Sequence, residues 1–256
     1  MRDKECLKCK RFYSGSCNGV DNRDRIEITI ENSCSGFLKK DFKRWNYMKK
    51  YHKIETVYER DTNGSKKLIE GKYRNEAVEF LANNDWAFTE KIDGTNIRIY
   101  WDGHRITFGG RTENSQIPSH LVNKLSKMFL NNETEELFEQ KFGEKEVILF
   151  GEGYGVKIQN GRAYRSDVGF ILFDVMINDN YQSRESVEDV AECFGLEIVP
   201  IIMYGTIQEA VNFVKTKPDS TIGTAKMEGL VGRPVVEMCD RCGNRVIVKI
   251  KACDFQ

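Results

Sequence analysis

The stretch Glu90-Lys-Ile-Asp-Gly-Thr-Asn96, followed at once by the alternating run Ile97-Arg-Ile-Tyr-Trp101, constrains the fold more than any other part of the sequence. Asp-Gly is a turn dipeptide: glycine adopts backbone angles closed to other residues, and aspartate hydrogen-bonds its own turn. One extended segment must therefore end near Lys91 and another begin near Asn96. A second Asp-Gly, Asp102-Gly103, separates that run from Arg105-Ile-Thr-Phe-Gly-Gly110, the signal of a β-hairpin. A surface turn accounts for Asp93-Gly94, but not for a lysine placed two residues before it.

Strand-like runs recur downstream, at 146–153, 168–177, 228–238 and 245–251, the last alternating cleanly. Helical patterns fall at about Ser119 to Phe142, Glu185 to Phe194 and Ile207 to Lys215. The mixture is α+β with a largely antiparallel sheet. At 256 residues the chain is long enough to bury about 70% or more of its unfolded surface, so one dominant core over 37–256 fits, with a small appendage. That appendage is residues 1–36, rich in cysteine and turn-formers and poor in large apolar side chains. From Phe37 to Lys53, Leu38, Phe42 and Trp45 fall at helical spacing, which predicts an amphipathic helix. Arg60 to Lys67 reads as an exposed turn.

Lysine and arginine, 39 together, balance 39 aspartates and glutamates, so no whole-molecule field attracts a polyanion. Contact with nucleic acid must come from local patches, such as Lys39–Lys53, where six lysines and one arginine face one aspartate. Such a stretch reads either as a solvated helix face or as a track for a phosphate backbone. No run approaches the roughly 18 apolar residues of a membrane helix, and the first residues are charged, so a cytoplasmic protein is expected. In a reducing compartment, cysteines at C-x-x-C spacing read as metal ligands or redox groups. Cys6, Cys9, Cys17 and Cys34 are candidate ligands of one Zn²⁺, which would supply folding free energy to a segment without a core; free thiols are the other reading. Cys239 and Cys242 either complete a site with Cys6 and Cys9 or simply mark a hairpin turn. Cys193 and Cys253 carry no signal.

The lysine turn does not stand alone. Leu-Phe-Gly-Glu152-Gly-Tyr-Gly, Phe-Ile-Leu-Phe173-Asp174-Val, Met-Glu228-Gly-Leu-Val-Gly-Arg-Pro and Val-Ile-Val-Lys249-Ile-Lys251 follow it in order. This ordered set, spanning 86–251, resembles the nucleotidyltransferase motifs of the covalent ligase and mRNA-capping superfamily. Lys-x-Asp-Gly-Thr-Asn with Phe-Gly-Glu-x-Tyr-Gly is most similar to the phage-type, ATP-dependent RNA ligases. The resemblance implies a ligase-type adenylyltransferase domain with largely antiparallel sheets around a nucleotide cleft.

The chemistry explains the residue types independently. An amine attacks an α-phosphate only when unprotonated, yet a free lysine with a pKa of about 10.4 is almost wholly protonated at neutral pH. Burial and neighbouring positive charge, here Lys249, Lys251 and a divalent metal, oppose protonation. Asp93, Glu152 and Glu228 are therefore read as contacts to Mg²⁺ or Mn²⁺, directly or through water, as much as to substrate. Lys91 is the expected nucleophile, and Asp93, Glu152, Glu228, Lys249 and Lys251 complete the catalytic set. The resemblance further implies Glu152 on the ribose hydroxyls, Phe173 stacked on adenine with Phe170 as its competitor, and Lys249 and Lys251 on phosphate. Glu90, Asn96 and Arg111 join the nucleotide-binding set, with Asn96 also expected to serve the nucleic-acid end during sealing. Lys157, Arg162 and Arg165 form either a phosphate-binding loop or a solvated one.

The expected function is RNA sealing: Lys91 takes AMP from ATP, AMP passes to an RNA 5′-phosphate, and an RNA 3′-hydroxyl displaces it. A DNA ligase or a capping guanylyltransferase is the alternative within the class, and a non-catalytic module that binds RNA ends is the alternative outside it. Most members of the resembling family carry a further domain after the closing lysine pair, whereas this sequence ends five residues past Lys251. Closure by the amino-terminal segment or by a partner is therefore expected. The zinc reading predicts about one zinc per chain in protein purified without added metal; elemental analysis near zero ends it.

Overall fold

The computed structural model describes residues 48–64, 66–112 and 114–255. In chain order its strands and helices are β1 (Glu55–Thr56), β2 (Tyr58–Arg60), β3 (Leu68–Tyr73), α1 (Glu76–Leu81), β4 (Trp86–Lys91), β5 (Thr95–Trp101), β6 (Ile106–Gly110), α2 (Ser119–Phe129), α3 (Asn132–Phe142), β7 (Val147–Gly155), β8 (Val168–Ile177), β9 (Asn180–Tyr181), α4 (Arg184–Cys193), β10 (Glu197–Ile198), β11 (Ile201–Gly205), α5 (Ile207–Lys215), β12 (Gly229–Pro234) and β13 (Val248–Lys251). One sheet has the order β1-β13-β12-β4-β11 and a second the order β10-β8-β7-β5-β6, with β9 beside β8; β2 and β3 form a hairpin. Among the described residues only β1 with β13 and β10 with β8 run parallel, so the expected α+β, largely antiparallel architecture is the observed one.

Each sheet buries one face under helices. Trp86, Phe88, Leu230, Val248 and Ile250 of the first sheet pack with Ile207, Val211 and Val214 of α5. Ile97, Leu149, Phe170 and Leu172 of the second pack with residues of α2, α3 and α4, including Leu121, Phe138 and Val190. Because strand side chains alternate between faces, the intervening residues of both sheets project the other way, where a smaller cluster of Tyr51, Tyr100, Ile148, Phe150 and Met176 forms.

Two expectations are corrected. The helix over Phe37 to Lys53 lies mostly outside the described residues, and its described end, from Met48 on, is not helical. The carbonyls of Met48 and Lys49 accept from the buried guanidinium of Arg98, and Tyr51 is buried against Phe150 and Phe173; a helix would draw those carbonyls into its own ladder. The helical stretch from Ser119 to Phe142 is two helices, because Asn131 acts on both. Its Nδ2 donates to the carbonyls of Lys127 and Met128 at the end of α2, and its Oδ1 accepts from the Thr134 amide as the N-cap of α3. The Cys-rich segment 1–36 lies outside the described residues. Asp102-Gly103 opens a turn as expected, with Asp102 Oδ1 accepting from the amides of His104 and Arg105, both at 2.9 Å.

A β-bulge separates the two phenylalanines of β8. Phe150 pairs with Asp174 but Gly151 with Leu172, so Phe173 is the extra residue. Phe170 is 1% exposed and meets Phe129 edge-on at 5.6 Å, whereas Phe173 reaches the opposite side. Phe170→Ala is therefore expected to cost about 3–5 kcal/mol of stability in urea unfolding, and Phe173→Ala markedly less; equal losses would contradict this assignment of faces.

Candidate active site

The alternation of β4, β12 and β13 builds a floor. Lys91 pairs across β12 with Gly229, and Gly229 with Lys251; one step along, Thr89 pairs with Val231 and Val231 with Lys249. The three lysines thus stand on one face around a glycine that contributes no side chain. Glu228, just before β12, bridges two of them: Lys91 Nζ donates to its Oε2 at 2.6 Å and Lys251 Nζ to its Oε1 at 2.8 Å. Burial, then the charges of Lys91 and Lys251, lowers the pKa of Lys249. Burial opposes protonation of Lys251 as well, but the bond to Glu228 outweighs it and raises the pKa.

The second sheet supplies the facing wall. Asn96 on β5 pairs with Glu152 on β7, which pairs with Ile171 on β8, beside the bulged Phe173. Between wall and floor lies a cavity of about 430 Å³ lined by Lys91, Asn96, Arg111, Glu152, Phe173, Lys249 and Lys251 among others. Seven of the sequence-predicted site residues therefore converge. Asn96 Oδ1 is buried and accepts no hydrogen bond from the described residues. Glu152 has its pKa pushed up to about 8, first by burial; Lys91 lowers it, the carboxylates of Glu228 and Asp93 raise it, and Arg111 lowers it.

Two candidates, and the expected metal set, sit differently from expectation. Glu90 also borders the cavity, yet alternation turns its side chain away from Lys91. Its buried carboxylate accepts from Ser220 Oγ, from Thr221 Oγ1 at 2.6 Å and from the Thr221 amide at 3.0 Å. Asp93 stands beside the cavity rather than in its lining; its Oδ2 accepts from Asn160 Nδ2 at 3.1 Å. Gly94 in the same turn is pressed onto β7, where a Cβ would lie 2.4 Å from Gly153 O and 2.8 Å from Glu152 Cγ, so only glycine fits. Finally, Asp93, Glu152 and Glu228 do not meet at one point: among the described residues no three carboxylate, histidine or cysteine side chains share a metal-sized site.

Sequence reasoning missed the segment Tyr51–Ile54, Thr89, Val199, Val231 and Arg233, all of which line the cavity. Alternation along β12 from Gly229, the residue after Glu228, could have found Val231 and Arg233. Nothing local could have found Tyr51–Ile54, which is held at the cleft by Tyr51 against Phe173 and by Arg98 on the carbonyls of Met48 and Lys49 just before it. Of the loop after Glu152, Arg165 is engaged by Asp167 at 2.6 Å, Glu197 at 2.9 Å and Tyr154 at 3.1 Å, so it is a structural residue rather than a free phosphate contact; Lys157 and Arg162 are exposed. Cys239 and Cys242 are exposed thiols on the loop between β12 and β13. That loop is a turn held by Asp240 Oδ1, which accepts from the amides of Cys242 and Asn244, both at 2.8 Å. Cys6, Cys9, Cys17 and Cys34 lie outside the described residues.

Two largely antiparallel sheets, a lysine at the end of β4 and a lysine pair on β13, set around a cavity, make up a nucleotidyltransferase fold. The family model for RNA ligase matches residues 84–251, and the chain belongs to that family. Among solved structures it is similar to an RNA ligase of Naegleria gruberi. A ligand-free aspartate-to-alanine variant of that enzyme gives a TM-score of 0.54 at 17% identity, covering 81% of this chain and 63% of the other. A lysine-to-methionine variant with AMP and manganese gives 0.53 at 18%, covering 77% and 60%; a glutamate-to-alanine variant with ATP and manganese gives 0.54 at 17%, covering 88% and 67%. The chain thus spans 60–67% of the length of these structures, and at such identity the likeness is one of fold. No curated protein sequence matches the chain. Among the described residues, no helix is long and apolar enough to cross a membrane.

Because Glu152 is protonated up to about pH 8 in the folded, ligand-free chain while an unfolded glutamate loses its proton near pH 4–5, its contribution to stability is full below about pH 4 and is lost as pH rises through about 8. Denaturant unfolding of metal-free protein should show that decline, and Glu152→Gln should flatten it; parallel curves for the two proteins would refute the assignment.

Proposed function

We propose that the chain is an ATP-dependent RNA ligase in which Lys91 carries AMP as a phosphoramidate before AMP moves to an RNA 5′-phosphate and a 3′-hydroxyl displaces it. The observation that carries this reading is the floor of the cavity, where Lys91 lies in register with Lys251 and both are bridged by Glu228. The match of the RNA ligase family model to residues 84–251 and the ATP- and AMP-bound Naegleria structures of the same fold support it.

The residues divide the work. Phe173 stacks on the adenine, a contact of about 1–3 kcal/mol per base, with Val231 on the floor beneath. Glu152 binds the ribose hydroxyls, and Lys249 and Lys251 hold the phosphates so that pyrophosphate departs in line with the attacking amine. When the triphosphate takes over Lys251, the Glu228 bridge opens and the Lys91 amine is released from its carboxylate partner. The buried Oδ1 of Asn96 then addresses the hydroxyl end of the RNA. The donor set fits a divalent cation held by one or two carboxylates with water and phosphate oxygens, since Mg²⁺ and Mn²⁺ favour such oxygen ligands and the described residues offer no closed cage of their own. Asp93, Glu152 and Glu228 are its candidate contacts, and when bound it neutralises charge on the α-phosphate.

Incubation with ATP and Mg²⁺ should add the mass of AMP less water to the wild-type chain and nothing to Lys91→Ala, and the charged enzyme should seal nicked or broken RNA. No adduct on the wild type, with Lys91→Ala binding RNA as well as wild type, would turn the reading to a non-catalytic RNA-end-binding module. An adduct with GTP alone would turn it to a capping enzyme, and sealing of DNA alone to a DNA ligase.

A further inference from the structure

Two loops meet beside Lys91, and neither forms part of the lysine floor. Residues 156–165 follow β7 and hold Asp93: Asn160 Nδ2 donates to Asp93 Oδ2 at 3.1 Å, and the Asp93 amide donates to the Tyr164 hydroxyl at 3.4 Å. Residues 218–226 follow α5 and hold Glu90 through Ser220 and Thr221. The loops are stitched to each other, since the Thr224 amide donates to the Ala163 carbonyl at 2.8 Å and Thr224 Oγ1 to the same oxygen at 3.3 Å. Gly223, at φ +152°, makes the seam close: a Cβ there would lie 2.5 Å from Ala163 O and 2.7 Å from Tyr164 O. Ile92, 3% exposed, packs into the same place in a cluster with Tyr164 and Ile222.

The residues on both sides of Lys91 are thus fixed from outside the cavity, while Lys91 itself points inward. We infer that the two loops act as one brace that positions Lys91 for attack, with Asn160, Tyr164 and Thr224 as positioning residues. The inference rests on the reading of Lys91 as the nucleophile. Its physical basis is that an in-line displacement tolerates little misplacement: a shift of about 1 Å can cost about a hundredfold in rate. Asn160 and Thr224 are exposed, so truncating them does not hollow the core.

The test is single-turnover formation of the AMP adduct by Asn160→Ala, Tyr164→Phe and Gly223→Ala in the full chain. The rate at saturating ATP should fall about tenfold or more while the ATP concentration for half-maximal rate stays unchanged, and Asn160→Asp should fall further because its carboxylate would repel Asp93. Gly195→Ala is the control, for Gly195 also has a positive φ, +60°, but nothing within 4 Å of a built Cβ; it should lower Tm without slowing the adduct. Wild-type rates in the brace variants, a change in ATP half-saturation alone, or an equal slowing in Gly195→Ala would overturn the inference. If the wild type itself forms no adduct, the ligase reading fails, and hydrogen exchange at Gly94 decides the brace: faster exchange in Asn160→Ala upholds it and unchanged exchange overturns it.

Discussion

One fully buried carboxylate fixes the spacing on which the cavity depends. Asp174, on β8 of the second sheet, accepts from the Tyr51 hydroxyl at 2.8 Å, from Arg233 at 2.9 Å and from Arg245 at 2.6 Å. These donors come from the segment before β1, from β12 and from the approach to β13, so a single charge ties both sheets and the strip between them. Two guanidiniums against one carboxylate would leave excess positive charge. Glu237 supplies the balance, with Arg245 donating to it at 2.6 Å. Breaking such a pair costs about 3–5 kcal/mol because the remaining charges stay buried without a partner. Burial, and then the Asp174 charge, drives the Tyr51 pKa well above its ordinary value, so the phenol remains a donor across the working range. Its ring stands 5.0 Å from that of Phe173, edge to face, and the base-side wall is thereby set by the same carboxylate.

The floor depends on a different constraint, the two-residue period of a strand. Leu230, Val248 and Ile250 bury on one face, so Val231, Lys249 and Lys251 are obliged to face the cavity, and antiparallel register brings Lys91 level with Lys251. The apolar packing against α5 therefore aims the lysines without any contact of its own to a substrate. A one-residue slip would exchange the two faces and put lysines into the core.

That period is why so much was legible in advance. Lys91, Glu152, Lys249 and Lys251 sit in runs whose alternation assigns a face directly, and the Asp-Gly dipeptides mark where the runs turn. Phe173 was legible only through family resemblance. Plain alternation sets it opposite Phe170, three residues away, but an all-apolar run does not say which of the two faces is the cavity's, and the bulge leaves no local mark in it. Glu90 joins the nucleotide-binding set in the sequence reading, but adjacent strand residues face opposite ways, and the donors to its carboxylate lie about 130 residues downstream. The apolar spacing of Leu38, Phe42 and Trp45 predicts a helix running on to Lys53, but from Met48 the chain is not helical. What overrides that propensity is a long-range contact, the Arg98 guanidinium on two backbone carbonyls, which no local window contains.

The balance of charge inside the cavity differs from that of the chain as a whole. The chain carries 39 basic and 39 acidic side chains, but Lys91, Lys249, Lys251 and Arg111 border a space in which Glu152 is neutral up to about pH 8 without ligand. Glu228 is shared by two lysines, so it does not cancel the surplus. A low-dielectric pocket magnifies such a surplus relative to bulk water, and a polyanion is attracted locally even though the molecule has no net field. Once inside, that anion competes with Glu228 for Lys251 and for Lys91. Glu228 is bonded to both lysines, so an anion that binds either of them contests the bridge.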